Sequence, residues 1–79
     1  MTDDETALVI DTRGRRCPIP IIELARQIDA VPVGSLVEVV SDDPAARVDV
    51  PEWCRMRGHE YVDEHPTRDA VGYRVRRLH

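Results

Sequence analysis

The spacing of apolar and polar residues changes several times along the chain, and each change predicts an element. Residues 6–11 (TALVID) form a short β-rich run that closes on turn-forming Asp11 and Gly14, which predicts a first strand. From Ile19 the period lengthens. Ile21, Leu24, Ala25 and Ile28 fall at i, i+3, i+4 and i+7, with Glu23, Arg26 and Gln27 turned away, which predicts an amphipathic helix stopped by Pro32 and Gly34. Residues 36–40 (LVEVV) have the β-branched content of a half-buried second strand.

Asp42, Asp43 and Pro44 then signal a helix start, with a capping Asp and Pro at the first helical position; Ala46, Val50, Trp53 and Cys54 share one face of that helix. Pro51 interrupts it. Because Asp49 and Glu52 form a D-x-x-E capping pattern, the helix is expected to kink or restart there before Gly58 caps its end. Two short strands near 59–65 and 70–78 follow, around a turn containing Pro66, with Val71, Tyr73 and Val75 on one face and Arg74 and Arg76 on the other.

The order β-α-β-α-β-β favours an α+β two-layer sandwich: one four-stranded mixed sheet, a right-handed first crossover, and both helices on a single face. The opposite face is expected to be more exposed, leaving Glu38 and the arginines of the last strand to water or to a partner. With 79 residues there is room for one core, so residues 6–79 read as a single domain behind a polar tail at 1–5. One Trp, two Tyr and no Phe leave that core to Val, Ile, Leu and Ala, with a narrow margin of stability.

Charge narrows the chemistry. The net charge of −4 is unevenly distributed, an acidic body carrying basic patches at 13–16 and 68–79. All 11 basic residues are arginine. Without lysine the chain has no Schiff base for pyridoxal chemistry and no Walker-type phosphate loop. Arg74, Arg76 and Arg77 are compatible with phosphate contact, but the negative net charge and the lack of an aromatic platform argue against direct nucleic-acid binding. The acidic opening is unlike a signal peptide and no apolar run approaches a membrane span, so a cytoplasmic protein with no membrane partner is expected. In that setting Cys17 and Cys54 read as thiols rather than a disulfide. They lack the paired spacing of a zinc site, and neither metal nor cofactor is expected.

Residues 11–20 (DTRGRRCPIP) carry the chemistry, because they set a cysteine in the turn between a strand and a helix. Cys17 is expected at the N-cap position, where the helix N-terminus and the neighbouring Arg15 and Arg16 would stabilise a thiolate and lower its pKa. Pro18 suits the first helical position; neither Pro18 nor Pro20 has an N–H, which leaves Ile19 and Ile21 as donors, with Ile19 placed to reach a sulfur at Cys17. Gly14 is expected to supply the conformation of the turn. Asp11 and Arg13 brace the loop or recognise a donor, and Arg15 and Arg16 dock an acidic surface or stay solvated. Cys54 lies mid-helix beside Trp53 and reads as packing. Thiol-protease chemistry would need a base near Cys17; His59, His65 and His79 all lie downstream with nothing to tie them to it, and His59 reads as a helix-end or strand residue.

The D-x-R-G-x-x-C-P-x-P arrangement at 11–20 resembles the TusA (SirA-like) family of small sulfur carriers. The likeness continues through residues 41–45 (SDDPA), 49–51 (DVP), Trp53, Cys54 and 58–60 (GHE) to the Tyr- and Arg-bearing last strand, and so covers nearly the whole chain. It implies a β-α-β-α-β-β sandwich similar to the C-terminal domain of translation initiation factor three. Cys17 matches the cysteine that carries sulfur as a persulfide, shaped by Gly14, Pro18, Ile19 and Pro20. Arg15 departs from the apolar residue, often Leu, that the family commonly has there, which bears on partner identity more than on chemistry. The resemblance implies a sulfurtransferase acting as a relay, with a donor such as a cysteine desulfurase and a downstream acceptor protein, towards tRNA thiolation or cofactor synthesis. Two alternatives stand beside it: a carrier of thiosulfate-derived sulfur in oxidation or import, and a non-catalytic redox or interaction module built on the Cys17 thiol. A monomer presents Cys17 most easily to two partners.

Overall fold

The computed structural model describes residues 6–79; the polar tail expected at 1–5 lies outside them. The two periodicities of the sequence become two layers. The elements are β1 (Thr6–Asp11), α1 (Ile19–Gln27) prolonged by a 3-10 turn (Ile28–Ala30), β2 (Leu36–Ser41), α2 (Ala46–Arg57), β3 (Glu60–Pro66) and β4 (Val71–Arg76). They pair in the spatial order β1-β2-β4-β3. β1 runs parallel to β2, with Asp11 opposite Val40, while β4 is antiparallel to both β2 and β3.

The expected α+β sandwich is thus the observed one. Ile10, Val37, Val39, Tyr73 and Val75 of the sheet meet Leu24, Ile28, Val50, Trp53 and Cys54 of the helical layer in one cluster, so both helices cover the same face. Removing each such side chain from water stabilises the fold by about 1.5–3 kcal/mol. On the other face Arg74 pairs with Asp63 and Arg76 with Glu60, Nε to Oε1 at 3.3 Å. Arg77 donates from Nη1 to the Val31 carbonyl at 2.6 Å. The arginines compatible with phosphate therefore have partners within the fold.

The second helix corrects three expectations. It begins at Ala46, and Pro44 lies in the turn leading in, where Asp43 Oδ1 accepts the Ala45 N–H at 3.0 Å and the Asp43 carbonyl accepts the Ala46 N–H at 3.1 Å. It also continues through Pro51 as one helix, without the restart that is one of the two expectations there. The bond lost at Pro51 is tolerated because Val50, Trp53 and Cys54 around it are locked in the core, and packing outweighs local propensity. Finally, Asp49 caps no second helix; its carboxylate faces the loop before α1. Gly58 does end the helix, left-handed at φ 76°.

The last hairpin turns one residue later than expected, with Pro66 in the strand and not in the turn. Pro66 closes β3 on the sheet edge, where a missing N–H does least harm, and the turn is held by Thr67, whose N–H and Oγ1 both donate to the Ala70 carbonyl at 2.8 and 3.0 Å. β4 stops at Arg76. No helix among the described residues is long and apolar enough to cross a membrane.

Candidate functional site

Because β1 and β2 are parallel neighbours, the loops that leave their carboxyl ends must emerge side by side, the usual location of sites in sheets containing parallel strands. The two loops are then laced together. Thr12, 2% exposed, donates from both N–H and Oγ1 to the Val40 carbonyl, at 2.8 and 2.6 Å. Gly14, at φ 82° where a side chain would be strained, donates its N–H to the Asp42 carboxylate at 3.0 Å. The Cys17 N–H reaches Asp43 Oδ2 at 2.8 Å.

Asp11 and Arg13 form a fork within this loop. Arg13 Nε lies 3.0 Å from Asp11 Oδ1 and Nη2 2.9 Å from Oδ2, and the Arg13 backbone N–H adds a third bond at 3.0 Å. These bonds hold the Asp11 carboxyl below the usual carboxylate range. The geometry is that of a brace. Arg15 and Arg16 differ: both are exposed, and no carboxylate among the described residues takes either into an ion pair.

Cys17 stands exposed at the end of the loop. Three expectations about it need correction. α1 starts at Ile19 with Pro18 as its flanking residue, so Cys17 lies one residue outside the N-cap, joined to Pro18 by a cis peptide bond. The Ile19 N–H donates to the Arg16 carbonyl at 2.8 Å instead of to the sulfur. Pro20, at the second helical position, is buried. Most consequentially, the thiol is pushed up, not down, from its ordinary value, chiefly because Cys17 Sγ donates a hydrogen bond to Asp49 Oδ2 at 2.9 Å. A carboxylate that accepts from S–H favours the protonated form, and its charge, with that of Asp43, opposes a thiolate. The adjacent arginines and the oncoming helix do not reverse that direction.

Asp42, Asp43 and Asp49 are the site residues that local sequence reasoning misses, since they lie 26 to 32 positions from their loop partners. The available signal is topological: a β-α-β unit with parallel strands must place the D-D-P turn beside the cysteine loop. Among the described residues no histidine hydrogen-bonds to them: His65, opposite Gly72, is at this end of the sheet but on the β3 edge, with β4 and β2 between it and β1. His59 and His79 stack at a centroid distance of 4.6 Å, with His59 also on Trp53 at 5.4 Å, near the Arg76 end of the sheet, while Cys17 is at the Asp11 end. Cys54 is buried, as expected of packing, and burial pushes its thiol up to about 11.

The chain matches the family model "Sulfurtransferase TusA" over residues 8–77. It belongs to the TusA family. Among its relatives, a putative sulfur carrier protein of Archaeoglobus fulgidus is 38% identical over 71 residues, covering 90% of this chain and 97% of the relative. The sulfur carrier protein TusA of Pseudomonas putida is 31% identical over 77 residues, covering 98% and 96%. That of Pseudomonas fluorescens is 34% identical over 68 residues, covering 86% and 82%. In this TusA-family chain the laced loop, the exposed thiol and the two exposed arginines occupy one end of the sheet.

Proposed function

We propose that this chain is a sulfur carrier that holds its cargo as a persulfide on Cys17 Sγ. The observation that supports this reading most is an exposed cysteine at the end of a loop fastened residue by residue, in a chain of the TusA family. In loading, Cys17 attacks the outer sulfur of a donor persulfide. A new S–S bond forms at Cys17 Sγ, the donor's S–S bond breaks, and the donor departs as a thiolate that takes up the proton lost by Cys17. The transferred sulfur keeps its oxidation level, so the exchange needs no cofactor. In delivery an acceptor thiolate repeats the attack and Cys17 is the leaving group.

The rest of the site serves that exchange. Asp11 with Arg13, and Gly14 with Asp42, keep the loop in one shape, while Pro18, Ile19 and Pro20 hold the start of α1 rigid beneath the sulfur. Arg15 and Arg16 dock an acidic face of the donor, a protein that itself bears a persulfide, such as a cysteine desulfurase. The acceptor is a second protein thiol on a route to tRNA thiolation or cofactor synthesis.

The test is intact mass after incubation with a cysteine desulfurase and cysteine. A gain of one sulfur atom, reversed by reductant and absent from Cys17→Ser, is expected. Equal loading of Cys17→Ser would overturn the assignment to Cys17; no gain from a desulfurase or from thiosulfate would favour a redox or binding module.

A further inference from the structure

Asp49 is the only side chain that reaches the Cys17 sulfur in a hydrogen bond among the described residues, and it comes from a different element. It projects from the first turn of α2, half-buried, while the loop carrying Cys17 is pinned by Asp43 through the Cys17 N–H. The sulfur thus has a fixed approach to one carboxylate oxygen, at 2.9 Å. The charges acting on it are Asp49 from α2 and Asp43 from the turn before α2; Arg16, on the loop beside Cys17, acts on Asp43.

From this geometry we infer that Asp49 is the proton latch of the carrier: it keeps the empty Cys17 as a thiol, and the donor must turn it aside or neutralise it before sulfur can be loaded. The inference rests on the carrier reading, because it assigns to Cys17 Sγ the attack on the donor persulfide. Attack needs the sulfur's lone pair as a thiolate, and a hydrogen bond to a carboxylate opposes its formation. The proton that leaves Sγ ends on the donor's departing thiolate, so the exchange is balanced whether or not Asp49 carries it. After delivery, Cys17 departs from the outer sulfur as a thiolate, takes up a proton, and is held again by Asp49. One carboxylate therefore protects the waiting carrier from oxidants, which react with thiolates, and favours the discharged state.

The test reads Cys17 acidity directly, without sulfur transfer. Iodoacetamide alkylation rates measured against pH on the Cys54→Ala background report only Cys17, and are compared with and without Asp49→Asn. The expected result is a reactivity midpoint displaced to lower pH, with alkylation and peroxide oxidation several-fold faster at neutral pH. Asp49→Ala is the second variant and should move the midpoint the same way, whereas Glu52→Gln, one turn on and paired with Arg55, should leave it in place. A midpoint that stays put or rises in both Asp49 variants overturns the latch. The mass-based loading assay is read separately: loading with an unmoved midpoint removes the latch alone, and a moved midpoint without loading removes the carrier reading and with it the latch's role in sulfur transfer.

Discussion

Cys54 is 2% exposed on the core side of α2, where burial pushes its thiol up to about 11, whereas Cys17 is open to water and is pushed up mainly by one hydrogen bond to Asp49. The direction is shared and the cause is not. Desolvation at Cys54 comes from Trp53, Val50 and the sheet, and nothing short of opening the core relieves it. The hold on Cys17 is a surface contact between a loop and a helix, which a docking protein can take apart without unfolding anything. A fold can thus hold back two thiols by different means, one by closing it off from solvent and one by a surface contact that leaves it reachable.

The sharpest way to break the comparison is chemical labelling. Native protein treated with iodoacetamide at mildly alkaline pH should take up one label, on Cys17, and a second only in denaturant. In Cys17→Ser the native protein should take up none. Labelling of Cys54 in the native state, read by intact mass and peptide mapping, would remove the distinction altogether.

A smaller effect should come from charge at the exposed thiol. Reversing Arg15 and Arg16 together to Glu should slow loading by a persulfide-bearing donor by roughly tenfold at low ionic strength, with the gap narrowing as salt screens it. Loading rates in two salt concentrations check this. An unchanged rate would reduce these arginines to solvated surface.

The two positions also differ in what serine does to stability. At Cys54 a hydroxyl enters a site with no polar partner among the described residues beyond its own helix, at a cost of about 1–3 kcal/mol. At Cys17 the hydroxyl remains in water and within reach of Asp49, so urea midpoints of Cys17→Ser and the parent should nearly coincide. Equal destabilisation by the two substitutions would mean that the loop bearing Cys17 is part of the core.

Much of this contrast is legible in the amino-acid sequence alone, and the illegible part has a common cause. Cys54 is readable because Val50, Trp53 and Cys54 share a helical face, and the brace is readable because Asp11 and Arg13 are two residues apart. The same locality places β1, α1 and β2 within a residue or so. The acidity of Cys17 is misread because local sequence displays the adjacent arginines and the oncoming helix but hides Asp49, which parallel pairing of β1 and β2 brings in from 32 residues away. Pro51 misleads for a related reason: its local rule is to break helices, and only the packed residues on either side explain why α2 continues. Short-range rules hold where side chains answer to their neighbours, and fail where tertiary packing supplies the deciding partner.

The finest test concerns alkaline stability, where the buried thiol should leave a trace of its own. Cys54 titrates near 11 in the fold and near the ordinary thiol value of 9.0 when unfolded, so between those values the unfolded chain has released a proton that the folded chain retains. Stability is then complete below the unfolded value and falls as pH rises through the window, by about 1 kcal/mol at a pH midway. Tyr61 and Tyr73, whose hydroxyls burial also pushes up, lean the same way, so the parent's slope alone does not isolate Cys54. The comparison with Cys54→Ala does. That variant should be less stable near neutrality yet lose less between about pH 8.5 and 10, in urea titrations at each pH. Cys17→Ser should keep most of the parent's slope, because a group in contact with water is screened in both states. A Cys54→Ala slope identical to the parent's would mean that the thiol on α2 already meets solvent in the native ensemble, and that the two cysteines differ in degree alone.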